Sequence, residues 1–215
     1  MFRSLERAEN TARLVEAGFR IALTRSTGAE AEWKSVIVTS AAQAAYEAKY
    51  DRYESESVVH FLLQDVDNPS SVLSVIKAAR DNARTVRTGL TSEVWASVNE
   101  TWMVLTKLLK APIPQAELPA ALATIRAQSA VVRGALHGTM LRNDIYDFCR
   151  LGTFVERMDS TARIIDVKYY SLLPGVCHAH CAFVQANWSR TLNTLGWTMT
   201  RLCLLFRWHR NFMPV

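Results

Sequence analysis

Residues 5–16 read LERAENTARLVE, and residues 155–166 read VERMDSTARIID. Aligned position by position, only Ala8 with Met158 and Asn10 with Ser160 differ in broad chemical type. In the first copy Leu5, Ala8, Ala12, Val15 and, further on, Phe19 recur at steps of three and four. That spacing is the stripe of an amphipathic helix. Glu6, Asn10 and Arg13 fall along another face, with Arg7 and Glu9 on its flanks. The second copy places Glu156, Ser160 and Arg163 on one face, Arg157 and Asp159 beside it, and Val155, Met158, Ala162 and Ile165 opposite.

Glu9 with Arg13, and Asp159 with Arg163, are acid-before-base pairs at i,i+4, each contributing roughly 0.2–0.5 kcal/mol on a wet helix face. Solvated ion pairs alone do not require the same residues twice. The duplication therefore suggests two helices meeting about a pseudo-two-fold axis, with Glu6 reaching Arg163 and Arg13 reaching Glu156. Small Ala12 and Ala162 permit close approach. Such a cluster serves either as a rigid polar core or as a cleft whose arginines receive a carboxylate or phosphate. Spacing alone leaves these alternatives open.

Outward from the repeat, nearly everything before residue 174 has helical period. The first helix is expected from the start to about Thr24, broken by Ser26-Thr27-Gly28. A second follows from about Glu30 to Lys49, and a shorter third from Ser57 to Gln64. Asn68 as N-cap and Pro69 at the first helical position open a fourth, which ends near Gly89 as a left-handed residue. Thr91 caps the fifth, with Glu93 in its first turn, and Pro112 and Pro114 end it. The sixth runs from about Pro119 to Leu136 and the seventh from about Arg142 to Leu173, before Pro174. No strand alternation appears and the chain has eight glycines. The expected fold is all-α, an antiparallel helical bundle whose first and seventh helices carry the repeat.

Composition is that of a globular protein, 49% hydrophobic and 21% charged over 215 residues, enough for one substantial core. No run of apolar residues is long enough to span a membrane, and MFRSLERAEN lacks the apolar region of a secretory signal. A cytoplasmic protein is expected. The net charge of +5 invites a nucleic-acid reading, but its distribution argues against one. From Gly175 onward there are four arginines and no Asp, Glu or Lys, so the excess belongs to the tail. The helix around residues 75–87 adds Lys77, Arg80, Asp81, Asn82, Arg84 and Arg87. If it lies beside the repeated helices, the cluster becomes arginine-rich and suited to an anion.

Together these stretches resemble the alpha-E domain family, bacterial all-helical proteins recognised by a Glu-Arg motif. The matching segments are LERAENTAR, NPSSVLSVIKAARDNARTVR followed by TSEVW, and RGALHGTMLRNDIYDFCRLGTFVERMDSTARIIDVKYY, in that order between Phe2 and Pro174. The resemblance implies that Glu6-Arg7 and Glu156-Arg157 are the Glu-Arg pairs. It also implies that Arg80, Asn82, Arg84, Glu93 and Trp95 are core-helix residues. The family occurs beside circularly permuted ATP-grasp ligases and transglutaminase-like proteins, which implies a part in peptide or amide-bond modification. Family members carry an extra turn or more before the first Glu-Arg. Met1, five residues ahead of Glu6, is therefore expected to be an internal methionine.

Residues 1–174 are thus expected to form the helical domain, and residues 175–215 an anomalous tail. The tail's CHAHC (Cys177, His178, His180, Cys181) has zinc-ligand types, but four ligands so close together strain a single tetrahedral site. No metal is expected. Its lack of Asp, Glu and Lys is what a shifted reading frame in a GC-rich gene produces, and recovery of helical sequence in another frame tests this. A basic aromatic segment lying on a membrane surface ranks below it, because Arg190 and Arg201 share no clean polar face.

The candidate polar site comprises Glu6, Arg7, Asn10, Arg13, Arg80, Arg84, Glu156, Arg157, Asp159 and Arg163, with no cofactor. No nucleophile–base pair, P-loop or Rossmann glycine pattern accompanies it. His60, four residues after Glu56, reads as a surface contact, and His137 as a cation near a helix end. The expected function is a non-catalytic accessory or binding module acting with an ATP-grasp-type ligase and a transglutaminase-like protein. The alternative is an enzyme or ligand-binding protein that uses the Glu/Arg cluster on a carboxylate- or phosphate-bearing substrate.

Overall fold

Eight α-helices make up the described part of the chain, residues 1–24 and 29–172 of a computed structural model. They are α1 (Phe2–Thr24), α2 (Ala29–Thr39), α3 (Gln43–Glu47), α4 (Ser55–Leu63), α5 (Val72–Thr85), α6 (Ser92–Leu108), α7 (Leu118–Thr139) and α8 (Asp144–Leu172). The all-α class is as the periodicity predicts. The Ser26-Thr27-Gly28 break, the 175–215 tail and its CHAHC cluster lie outside the described residues.

Four helices close a ring: α1 packs on α7 and α5, while α6 joins α5 to α7. The α1 stripe forms its centre, with Ala8, Ala12 and Val15 fully buried and Leu5 nearly so. Leu62, Ile76, Val98, Leu105, Leu122, Ile125 and Val132 fill the interior from the other helices. α2 and α4 pack on α1 outside the ring. At Gly18 the α1 backbone comes so near α2 that an added Cβ would stand 2.5 Å from Val36 Cγ2.

Three local expectations are corrected. The single helix over 30–49 is two, because Ala41 adopts a left-handed conformation (φ 56°). The Thr39 and Ser40 hydroxyls donate back to the Ser35 and Ile37 carbonyls just before the break. The turn redirects α3 so that Tyr46 is fully buried, stacked between Tyr50 and Tyr53 and edge-on to Phe61. The repeat consequently sits on the first and eighth helices, not the first and seventh.

The helix expected to begin after Asn68 begins at Val72, capped by Ser71, whose Oγ accepts from the Ser74 amide at 3.2 Å. Asn68 instead ties down the preceding turn, accepting from the Ser70 amide and donating to the Phe61 carbonyl, both at 2.9 Å. Gly89 is not left-handed; it ends a 3-10 turn, Arg87–Gly89, against Ile145. Thr91 does cap α6 through the Val94 amide, at 3.4 Å.

The third correction concerns α8. Its buried residues through Val167 are Tyr146, Thr153 and Glu156, with Cys149, Ser160, Arg163 and Val167 half-buried on the same stripe. α8 therefore turns its polar face inward. The opposite, apolar face stays open, with Met158 55% and Ile165 54% exposed and Phe148 and Leu151 beside them. The two copies do not behave alike: α1 buries its apolar stripe and α8 does not.

Candidate functional site

On α1, Glu6 and Glu9 are one and four residues beyond Leu5, so the edge of the buried stripe carries two carboxylates into the protein. Each is 4% exposed, and Glu156 on α8 is 3% exposed. Buried carboxylates persist only when paired and hydrogen-bonded, and each of these is met by guanidinium groups.

Where α1 and α8 cross, the two Glu-Arg dipeptides exchange partners. Arg157 donates to both oxygens of Glu6, at 2.8 and 3.3 Å. Arg7 donates to both oxygens of Glu156, at 2.5 and 3.1 Å, and Arg3 adds a third bond to Glu156 at 3.1 Å. Each arginine thus reaches the other copy's glutamate in a forked, two-bond geometry that lysine cannot supply. Hydrogen bonding to Glu6 raises the Arg157 pKa, more than burial lowers it. Burial pushes the Glu156 carboxyl up, but Arg7 and Arg3 outweigh that and hold it below the ordinary glutamate range.

This exchange corrects the expected pairing of Glu6 with Arg163 and Arg13 with Glu156. Arg13 binds Glu9 on its own helix, at 2.7 Å. Arg163 pairs with Asp159 on its own helix and donates to the Ser40 carbonyl. The copies meet at their first turns rather than along their length, which leaves the far arginines to local partners.

α7 supplies the rest. Arg133 donates to Glu9 at 2.8 Å and lies 3.5 Å from Glu6. Arg126, two turns earlier, binds Glu16 at 2.8 Å. Glu9 and Glu16 are one heptad apart, as are Arg133 and Arg126, so antiparallel helices align the two rungs. For Glu9, burial raises the pKa, but the bonds from Arg133 and Arg13 together draw it below the usual value.

These groups line a cleft of about 540 Å³, walled by Glu6, Glu9, Asn10, Arg13, Arg133, Leu136, His137, Arg150, Thr153, Phe154 and Arg157. His137 Nδ1 lies 2.8 Å from the Tyr146 hydroxyl, which also receives Arg150 Nη1 at 3.3 Å. Arg150 has no ion pair among the described residues; its guanidinium stands 4.9 Å from the Phe154 ring centre. Burial, then Arg150, Arg133 and Arg142, lower the His137 pKa. The Tyr146 hydroxyl thus sits between the Arg150 guanidinium and the His137 ring.

Of the sequence-derived candidates, Glu6, Asn10, Arg13 and Arg157 line the cleft, and Arg7 and Glu156 form the adjoining clasp. Arg80 and Arg84 are not part of it. Arg80 binds Asn99 on α6 at 2.8 Å, and Arg84 is exposed. Asp159 stays with Arg163. Sequence reasoning missed Arg3, Arg133, Arg150 and Tyr146. The signal for Arg133 was its heptad spacing from Arg126 on a mostly apolar helix, matching that of Glu9 and Glu16.

His60 makes a 3.2 Å contact with the Tyr50 hydroxyl, apart from this cleft. Among the described residues no group of three His, Cys, Asp or Glu side chains could hold a metal ion. None of their helices is long and apolar enough to cross a membrane.

A family profile matches residues 1–200, and its description is "a predicted alpha-helical domain with a conserved ER motif". The chain belongs to this alpha-E family. Its two Glu-Arg dipeptides are the pairs that exchange partners at the α1–α8 crossing. No curated protein and no solved structure shows significant similarity to it.

Proposed function

We propose that the protein is a non-catalytic helical module, bacterial and cytoplasmic, that acts as an accessory or binding component beside an ATP-grasp-type ligase and a transglutaminase-like protein. The observation that carries the non-catalytic part is the saturation of its carboxylates. Every oxygen of Glu6, Glu9 and Glu156 accepts at least one guanidinium hydrogen bond. A general acid near neutral pH needs a raised carboxyl pKa, whereas Glu9 and Glu156 are lowered. The partners follow from the company that the alpha-E family keeps.

Co-expression of the chain with the neighbouring ligase and transglutaminase-like proteins, followed by size-exclusion chromatography and a peptide-modification assay, tests this. Co-elution is expected. Glu6→Gln or Glu156→Gln should weaken folding or association. Loss of turnover in either variant, with fold and co-elution intact, would make the glutamates catalytic and end the accessory reading.

A further inference from the structure

The clasp explains Glu6, Glu9 and their arginines, but it does not explain the rest of the cleft lining. There the geometry presents donors without acceptors. Asn10 Nδ2 is buried with no hydrogen-bond partner among the described residues. Among the described residues Arg150 bonds only the Tyr146 hydroxyl and stands over the Phe154 and Tyr146 rings. His137, held by Tyr146 at Nδ1, lines the same cleft. A buried donor left unpaired costs about 1–3 kcal/mol, and Asn10, which bears that cost, is one of the residues lining this cleft.

The charges agree with the donors. Four guanidinium groups (Arg13, Arg133, Arg150, Arg157) line the cleft against two carboxylates, Glu6 and Glu9, a surplus of two positive charges. The carboxylates do not repel an incoming anion strongly, because Arg13, Arg133 and Arg157 already hold them. Leu136 and Phe154 supply an apolar wall beside the donors. Convergent donors and excess positive charge next to an apolar surface are the makings of a site for an organic anion.

We infer that this cleft binds an organic oxyanion, a carboxylate or phosphate group on an apolar or aromatic body. Arg150 and Asn10 engage the oxyanion, and Phe154 and Leu136 cover the body. Tyr146 is a positioning residue that orients Arg150 and His137. The inference deepens the binding-module reading and rests on it, yet the two fail separately. The cleft can bind a small anion with no partner present, and a partner can dock elsewhere on the bundle.

The test is calorimetric titration of the full chain at low ionic strength, with benzoate in one arm and phenyl phosphate in the other. Saturable binding is expected in at least one arm, and the tighter arm identifies the oxyanion. Arg150→Met and Asn10→Leu should each weaken binding tenfold or more. Arg84→Met, an exposed arginine outside the cleft, should leave it unchanged. Circular dichroism shows which variants remain folded, and the Asn10 variant keeps every arginine should Arg150→Met not fold. Absence of saturable binding in both arms overturns the inference. So does an equal loss in Arg84→Met, which would indicate general attraction to a basic surface.

Discussion

Glu6 on α1 and Arg157 on α8 are 151 residues apart in sequence and joined by two hydrogen bonds, while their chain neighbours Arg7 and Glu156 make the reverse pair. The exchange places two buried carboxylates and two forked arginines at one helix crossing. As far as Val167, α8 buries few apolar residues, so this polar contact is a large part of what holds that stretch.

The two members of the Arg7–Glu156 pair should differ in how much they matter. Arg7→Met leaves Glu156, 3% exposed, with Arg3 alone, and stranding a buried charged acceptor costs about 1–3 kcal/mol. Replacing both members by methionine removes the stranded charge and should restore much of that loss, because apolar replacement of a buried ion pair is often near neutral. Urea denaturation of the single and double variants gives the coupling, expected at about 1–3 kcal/mol. Strictly additive losses would show that the pair is not a unit.

The helices were legible because a 3.6-residue period needs no knowledge of partners. So was the repeat, and with it Glu6, Arg7, Glu156 and Arg157 as the residues to watch. What the period cannot supply is the neighbour that a face meets. The period places Met158 and Ile165 opposite the charged face of α8 but does not say which of the two faces meets a neighbour. Here Glu156 is the inward residue, and only Arg3 and Arg7 of α1 make that tolerable. Arg133 escaped notice because it sits among mostly apolar residues on α7, which carries no repeat, and Arg150 because it lies on α8 five residues ahead of the repeated stretch. The break at Ala41 carried no glycine or proline to announce it.

Gly18 marks where α1 and α2 come closest. An alanine Cβ there would stand 2.5 Å from Val36 Cγ2 and 3.6 Å from the Trp33 ring. Overpacking of this kind costs about 1–3 kcal/mol, against which the better helix propensity of alanine returns roughly 1 kcal/mol. Gly18→Ala should therefore lower stability by up to about 2 kcal/mol. Chemical denaturation measures it. Val36→Ala in the Gly18→Ala background should cost less than in the parent, since the cavity accepts the new methyl; equal costs would place the strain elsewhere.

Asn68 and Ser71 separate two roles that one cap was expected to fill. Ser71→Ala removes an N-cap and should cost about 1 kcal/mol. Asn68→Ala removes two hydrogen bonds of a residue 3% exposed and leaves the Phe61 carbonyl without its side-chain donor, a loss of about 1–3 kcal/mol. Asn68→Asp retains the acceptor for Ser70 but turns a carboxylate oxygen toward the Phe61 carbonyl, and should be the worst of the three. Urea midpoints order them, and a Ser71 variant as damaging as Asn68→Asp would return the capping role to the centre of this turn.

The clasp should also make stability depend on acidity. Glu9 and Glu156 titrate below the ordinary glutamate value near 4.5 in the folded protein. The unfolded chain therefore binds more protons through the window below that value, and stability rises with pH there. Their contribution is fully present above the unfolded pKa and is lost as pH falls through the lower folded values. Urea midpoints measured from about pH 7 down to about pH 3 should fall steeply at the acid end. Glu156→Gln should start lower at neutral pH and fall less steeply, approaching the parent curve once Glu156 is protonated in both states of the parent. A variant curve parallel to the parent's throughout would mean that Glu156 gains nothing from its arginines on folding.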